Sequence, residues 1–159
     1  MSRLKPPDTV HLAAQKTDAP KPAAKHRVLF VCIGNCIRSQ FAEAFARAYG
    51  SDVIEARSCG VAPAGFIAEP VHRILKERGV AIAGQSSKTV YEAGPGPFDL
   101  IINISGGSLP RNFPAPANGQ SVREWPVPDP MGLKHEAYEH AARDIEARVM
   151  ALVLELRRS

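Results

Sequence analysis

Val28-Leu29-Phe30-Val31-Cys32-Ile33-Gly34-Asn35-Cys36-Ile37-Arg38-Ser39-Gln40 is the stretch that decides the fold. Its first part, Val28 to Ile33, is a short apolar run rich in β-branched residues, the pattern of a buried strand. A different rhythm follows. Phe41, Ala44, Phe45 and Ala48 recur at helical spacing. Between the two stand Gly34 and Asn35, residue types that tolerate positive φ. The stretch predicts a strand, a tight loop and a helix. Cys32 falls where the strand ends and Arg38 where the helix begins, in the pattern C-x5-R-S with Ser39.

Outward from the loop, the same alternation continues. The first helix is expected over Ser39 to Tyr49, with Gly50 as its C-cap. Val53 to Ser58 predicts a second strand, and Cys59 to Gly65 a loop. A second helix is expected from Pro70 to Arg78, stopped by Gly79, with Val71, Ile74 and Leu75 on its apolar face. Phe98 to Ile104 reads as a buried parallel strand after the breaker Gly94-Pro95-Gly96-Pro97. Ser105 to Gly119 is rich in Gly, Pro and Asn and predicts at most a helical turn. Val122 to Val127 predicts a weaker strand, and Pro128-Asp129-Pro130 a rigid turn. A last helix, Glu136 to about Arg157, carries the stripe Tyr138, Ala141, Ile145, Val149, Leu152 and Leu156. Strands alternating with helices imply an α/β fold, a single domain with a parallel sheet, right-handed crossovers and helices on both faces. In such sheets ligands bind at the carboxyl ends of the strands, which is where Cys32 falls.

The 159 residues fit one domain, and 45% hydrophobic content suffices for a real core. Met1 to His26 holds four prolines with several lysines and alanines, and is expected as a flexible tail (residues 1–26) before a domain at 27–159. It has no apolar run long enough for a signal peptide or a membrane span. The net charge of +4 is mild, with no basic stripe interleaved with aromatics, so neither nucleic acid nor membrane is expected as a partner. Three cysteines do not make a disulfide framework. They point to a reducing, cytoplasmic setting and to thiol chemistry.

That chemistry is concentrated in the loop. Backbone N–H groups of Ile33, Gly34, Asn35, Cys36 and Ile37, running into a helix N-terminus, form an anion site. Arg38 adds a planar fork matched to two oxygens of a phosphate-like oxyanion. In the first turn an arginine opposes the helix dipole, a placement that an anion would compensate. Cys32 in the same positive field is expected as a nucleophilic thiolate, and Ser39 can donate a hydrogen bond to its sulfur. There is no Gly-Lys-Ser/Thr, so a nucleoside triphosphate is not implied. Attack on a phosphate monoester needs an acid for the leaving group, and Asp129, held extended between two prolines near the same sheet edge, is the candidate. The bland alternatives are a core cysteine, a surface arginine and a turn-forming aspartate. Cys59 is expected as a small buried residue, and the role of Cys36 stays open. His72, His135 and His140 have no helical i, i+4 partner and form no metal set.

The segment Val31 to Ser39 resembles the phosphate loop of low-molecular-weight protein tyrosine phosphatases and of the arsenate reductases that share their fold. Asp129-Pro130 is similar to the family's general-acid loop. Ser58-Cys59-Gly60 resembles its second-strand Ser-x-Gly, which implies that Ser58 supports the loop asparagine, Asn35. The likeness covers roughly Arg27 to Arg157 and implies a four-stranded parallel sheet, with no cofactor or metal. Two departures stand out. The second loop cysteine is Cys36, one place earlier than in the phosphatases, and a protective Cys32–Cys36 disulfide is an implied option. Met131 and Gly132 replace the aromatics that wall a phosphotyrosine pocket, leaving Phe66 as a candidate wall. Ser39-Gln40 and Glu124-Trp125 lean toward the thioredoxin-coupled arsenate reductases, yet Asn103 to Pro116 carries none of the relay cysteines of that class.

Three functions follow as expectations. The first is a cysteine-dependent phosphomonoester hydrolase acting on a phosphorylated protein or small phosphoester, with Cys32, Arg38 and Asp129 as catalytic residues. The second is arsenate reduction on the same loop with thioredoxin or another thiol as reductant. The third is a non-catalytic oxyanion-binding module.

Overall fold

The computed structural model describes residues 24–115 and 122–159. Most of the expected tail, residues 1–23, lies outside the described residues, as do residues 116–121. The chain runs β1 (His26–Cys32), α1 (Arg38–Gly50), β2 (Ile54–Gly60), α2 (Glu69–Glu77), β3 (Leu100–Asn103), β4 (Arg123–Glu124) and α3 (His135–Arg158). The four strands form one parallel sheet in the order β2-β1-β3-β4. This is the expected α/β sheet. Val28 to Val31 are fully buried because β1 is paired on both edges and covered on both faces. The chain steps from β1 out to β2 and returns past it to β3, so the order reverses beside the end of β1. That switch point opens the crevice in which Cys32 sits.

The two faces are unlike, and here the expectation of helices on both is corrected. Val28, Phe30, Leu100 and Ile102 pack with Phe41, Phe45, Ile74, Leu75, Ile145 and Val149, so all three described helices cover one face. Leu29, Val31, Cys59 and Ile101 face the other way, against Val90, Ala93, Phe98, Leu109 and Phe113. These covering residues lie in turns and irregular chain. Gly94, Pro95, Gly96 and Pro97 interrupt the crossover before β3, so it reaches the second face without a helix.

Several boundaries differ for identifiable reasons. β2 continues through Cys59 and Gly60, expected as loop, because its pairing with β1 runs to the last rung, Cys32 against Gly60. β4 keeps only two residues of the expected six. Pro126 and Pro128 supply no N–H, and Val127 N–H turns back to the Trp125 carbonyl at 2.9 Å. Gly79, at φ +68°, ends α2 as expected. Gly50 does not cap α1. It is the last helical residue, and a Cβ there would stand 2.5 Å from Val153 Cγ2 on α3. Glycine is required at that point for the approach of two helices.

Candidate active site

The loop between β1 and α1 is built by turning every carbonyl outward. Cys32 O accepts from Val61 N at 3.0 Å, Ile33 O from Ala62 N at 2.8 Å and Gly34 O from Ala64 N at 2.9 Å. Asn35 O accepts from Gln40 Nε2 at 2.9 Å, Cys36 O from Ala68 N at 3.0 Å and Ile37 O from Phe41 N at 3.0 Å. With the carbonyls committed to the surroundings, the N–H groups of residues 33–37 find no acceptor among the described residues. They are available to an anion, the nest expected from the sequence. Asn35 makes the turn at φ +47°. Gly34 does not share that role. A Cβ there would stand 3.1 Å from Cys36 Sγ, close enough that the thiol would have to shift by a few tenths of an ångström, and at ordinary contact distance from Ala64 Cβ.

A polar network fixes the loop from behind. Lys88 backbone N–H lies 3.0 Å from Asn35 Oδ1. A backbone N–H only donates, so the oxygen of the Asn35 amide faces it and Nδ2 faces the serines. Nδ2 donates to Ser39 Oγ at 2.7 Å and to Ser58 Oγ at 3.0 Å. Ser39 Oγ thus accepts from Asn35 and lies 2.8 Å from Cys32 Sγ, placed to donate its own proton to a thiolate there. The expected supports, Asn35, Ser39 and Ser58, are all fully buried and connected in one chain.

Arg38 is 4% exposed. Its Nη1 donates to the carbonyls of Ile104 at 2.8 Å and Val127 at 3.0 Å, just beyond β3 and β4. Two carbonyls on one nitrogen fix the plane of the guanidinium and leave its other donors for an oxyanion. Nη2 stands 3.6 Å from Asp129 Oδ2. Asp129 Oδ1 accepts from Met131 N–H at 3.1 Å, which sets the carboxylate at the rim of the cleft. The cleft has a volume of about 200 Å³ and is lined by Cys32, Ile33, Gly34, Cys36, Ile37, Arg38, Ala62, Ala64, Asp129 and Met131. Of the residues expected as catalytic or anion-binding, all but Asn35 line this one cleft, and Asn35 lies buried behind it.

The other two thiols sit in settings of their own. Cys36 lines the cleft, but burial and the neighbouring Cys32 and Asp129 charges push its thiol up to about 11. Cys59 packs in the core on the opposite face of the sheet, where burial pushes it up to about 12. All three cysteines are unbridged. Phe66, expected as an aromatic wall, is exposed and does not line the cleft; its place is held by small and flexible side chains.

Some functional residues escaped the sequence. Gly60 is required because a Cβ would stand 2.8 Å from the Ile33 carbonyl and 2.9 Å from Asn35 N. The segment from Gln85 to Lys88 straps the loop. Gln85 Nε2 donates to Gln40 Oε1 at 2.8 Å, Gln40 Nε2 to Ser86 O at 2.9 Å and Ser87 Oγ to Gly34 O at 2.9 Å. Its one signal in the sequence is a polar run, Gln85-Ser86-Ser87-Lys88, in a stretch with no helical or strand period.

Comparison with known proteins agrees with this geometry. The family model described as low molecular weight phosphotyrosine protein phosphatase matches residues 27–159. The glutaredoxin arsenate reductase of Synechocystis is 29% identical over 131 residues, covering 82% of this chain and 98% of the relative. A solved arsenate reductase in the phosphate-binding state superposes with a TM-score of 0.72 at 27% identity, over 82% of this chain and 98% of that one. A low molecular weight protein tyrosine phosphatase from T. tengcongensis gives 0.68 at 28% identity, over 82% and 99%. Among the described residues no helix is long and apolar enough to cross a membrane. The family model spans the sheet, the loop and the last helix, and the chain belongs to the low molecular weight phosphotyrosine protein phosphatase family.

Proposed function

We propose that this chain reduces arsenate, with Cys32 as nucleophile and an external thiol as reductant. The cleft carries this reading. It holds a thiol and a guanidinium in about 200 Å³, and its walls are Ala62, Ala64 and Met131, with no aromatic side chain. Such a site suits a small tetrahedral oxyanion better than the ring of a phosphotyrosine. The relatives named arsenate reductases support the same order, which reverses the ranking drawn from the sequence.

In the first step the Cys32 thiolate attacks arsenic and a hydroxide leaves, protonated by Asp129 or water. The product is a Cys32–S–As(V) adduct whose oxygens lie on the loop amides and Arg38. A second thiolate then attacks the Cys32 sulfur. An S–S bond forms, the S–As bond breaks, and its electron pair stays on arsenic, which leaves as arsenite. Two thiols are oxidised and arsenic is reduced by two electrons. Cys59 lies across the sheet, and the high-lying thiol of Cys36 is a weak nucleophile at neutral pH. The second thiolate is therefore external, of the glutathione, glutaredoxin or thioredoxin kind.

Hydrolysis of phosphomonoesters is the second reading, favoured by the Asp129 carboxylate beside Arg38, since anion binding alone needs no acid. A paired assay separates the two. Arsenate-dependent thiol oxidation is expected for wild type with glutathione and glutaredoxin, or with thioredoxin. Cys32→Ser abolishes it and Cys59→Ala retains it. Hydrolysis of an aryl phosphate with no arsenate turnover under any reductant would restore the hydrolase to first place, with Asp129→Asn then expected to slow it about 10²–10⁴-fold. Tight phosphate binding with no turnover of either substrate would leave a binding module.

A further inference from the structure

The mouth of the cleft is apolar and exposed. Among the described residues eight large apolar side chains are exposed, and five of them, Ile33, Val61, Phe66, Met131 and Leu133, belong to three segments at this mouth. Ile33 and Met131 line the cleft itself. Val61 donates its N–H to Cys32 O at 3.0 Å. Phe66 stands between Ala64, which lines the cleft, and Ala68, whose N–H holds Cys36 O. Leu133 N–H closes on Pro130 O at 2.9 Å, in the turn that carries Asp129 and Met131. Apolar residues scattered singly over a surface need no explanation, but gathered at one opening they mark a contact surface.

Charge is kept out of the same segments. Val61 to Ala68 holds no polar side chain, and neither does Pro130 to Leu133, in a chain of which 23% is charged. Glu69, the first charge after Ala68, is paired with Arg73 at 2.7 Å. Asp129 is the carboxylate at the opening, 3.6 Å from Arg38. A second cavity of about 150 Å³ shares Asp129 with the cleft, and its walls include Pro128, Pro130, Leu133, Ala137 and His140. Lys134 and Glu136 stand exposed just beyond Leu133. An apolar centre with a pocket in it and charges at its margin is the anatomy of a protein-binding surface.

We propose that this apolar collar docks a dithiol protein, which brings a thiolate to Cys32 and seats an apolar side chain in the cavity beside Leu133. The docking rests on the arsenate reading for its need of an external thiol. Cys32 is 2% exposed in the cleft, so the attacking sulfur has to be carried in by something that fits the mouth. Glutathione bears carboxylates at both ends. It finds no cation in either apolar segment, and Asp129 repels it. A protein whose cysteine lies in an apolar surface matches the collar. Its first thiolate attacks the Cys32 sulfur of the arsenic adduct. An S–S bond forms, the S–As bond breaks, and the electron pair leaves with arsenite. The partner's second thiolate then attacks the partner's own sulfur in the mixed disulfide, and Cys32 leaves as thiolate. The partner ends with an internal disulfide, and no other thiol of this chain takes part.

The test leaves arsenate out. Thioredoxin and glutaredoxin, each with its second cysteine replaced by serine and its first joined to thionitrobenzoate, are the protein donors. Glutathione joined to the same group is the small donor. The Cys32 thiolate attacks the donor's cysteine sulfur, a Cys32–donor disulfide forms, and thionitrobenzoate leaves as a coloured thiolate whose release is timed. Peptide mass mapping places the adduct on Cys32. At least one protein donor is expected to react with the full-length chain about tenfold faster than the glutathione donor. Combining Phe66→Ser with Leu133→Ser, neither in the cleft lining, is expected to lower that protein rate about tenfold and to leave the glutathione rate unchanged. Tyr91→Ser, at an exposed position outside the collar, is expected to change neither. An equal fall in both rates, a protein rate indifferent to the double variant, or protein donors no faster than glutathione would overturn the docking. So would a dimer in sedimentation that the double variant disperses, which assigns the collar to a second copy. Phosphopeptide hydrolysis that alone responds to the double variant would overturn it as well, in favour of a phosphoprotein. Arsenate turnover with glutathione alone beside any of these results leaves the arsenate reading standing. Collar-dependent exchange without arsenate turnover leaves the docking standing and removes that reading.

Discussion

Ser39 Oγ stands 2.8 Å from Cys32 Sγ while accepting from Asn35, so its own proton is free to be donated to a Cys32 thiolate. A hydrogen bond to a charged acceptor contributes about 1.5–3 kcal/mol. Ser39→Ala is expected to lower kcat about 10–100-fold, in whichever of the two reactions the wild type performs. Steady-state turnover measures this, and a near-wild-type rate would remove Ser39 from the mechanism.

Arg38 cannot be replaced by lysine. Its Nη1 is committed to two carbonyls, from Ile104 and Val127, while the rest of the guanidinium faces the cleft. A lysine ammonium cannot hold both carbonyls and still present a planar pair of donors. Arg38→Lys is expected to cost about 10²–10³ in kcat/KM, the scale of losing an oxyanion donor. Phosphate binding by calorimetry should weaken in parallel.

Two glycines have opposite consequences for activity. At Gly60 a Cβ would press on the Ile33 carbonyl and Asn35 N, which are backbone of the loop. At Gly50 it would press on Val153 Cγ2, far from the cleft. Both Gly→Ala variants are expected to lose about 1–3 kcal/mol of stability from overpacking, read as a thermal midpoint lower by several degrees. Only Gly60→Ala should also lose turnover at a temperature where both variants are folded.

High pH should unfold this protein through its buried thiols. Cys36 and Cys59 are pushed up to about 11 and about 12 from an ordinary 9.0. The folded state therefore keeps two protons that the unfolded chain releases above pH 9. Their contribution is fully present below pH 9 and is lost between pH 9 and about 12. Denaturant midpoints measured from pH 8 to 11 should fall, and Cys59→Ala should make the fall shallower. An equal slope in wild type and variant would show that other groups govern it.

The placing of Cys32, Arg38 and the inward-facing amides in one loop was legible because thirteen consecutive residues carry them, and strand, glycine and helix signals frame them. Asp129 was legible from its two prolines. The helices covering a single face were less so, because the sequence between α2 and β3 shows where a helix is broken and not which face the broken chain will cover. The strap at Gln85 to Lys88 was hidden for another reason. Much of what it and Val61 to Ala68 give the loop comes from main-chain N–H groups, which any residue but proline supplies and no composition reveals. Gly50 shows the same limit: a glycine at a helix end reads as a cap, and only the approach of α3 identifies it as a clearance.

The outward carbonyls of the loop have a consequence for how the site tolerates change. An anion in the cleft would be met by amide protons, whose number and direction do not depend on the side chains at Ile33, Cys36 and Ile37. Ile33 is half exposed while Cys36 and Ile37 are buried, so those three positions answer to solvent and packing, and the charge-binding function is left to the main chain. Substitution there is free to drift so long as it respects volume and avoids proline. Any residue but proline that fits the space at 36 keeps the amide proton of that position in the cradle.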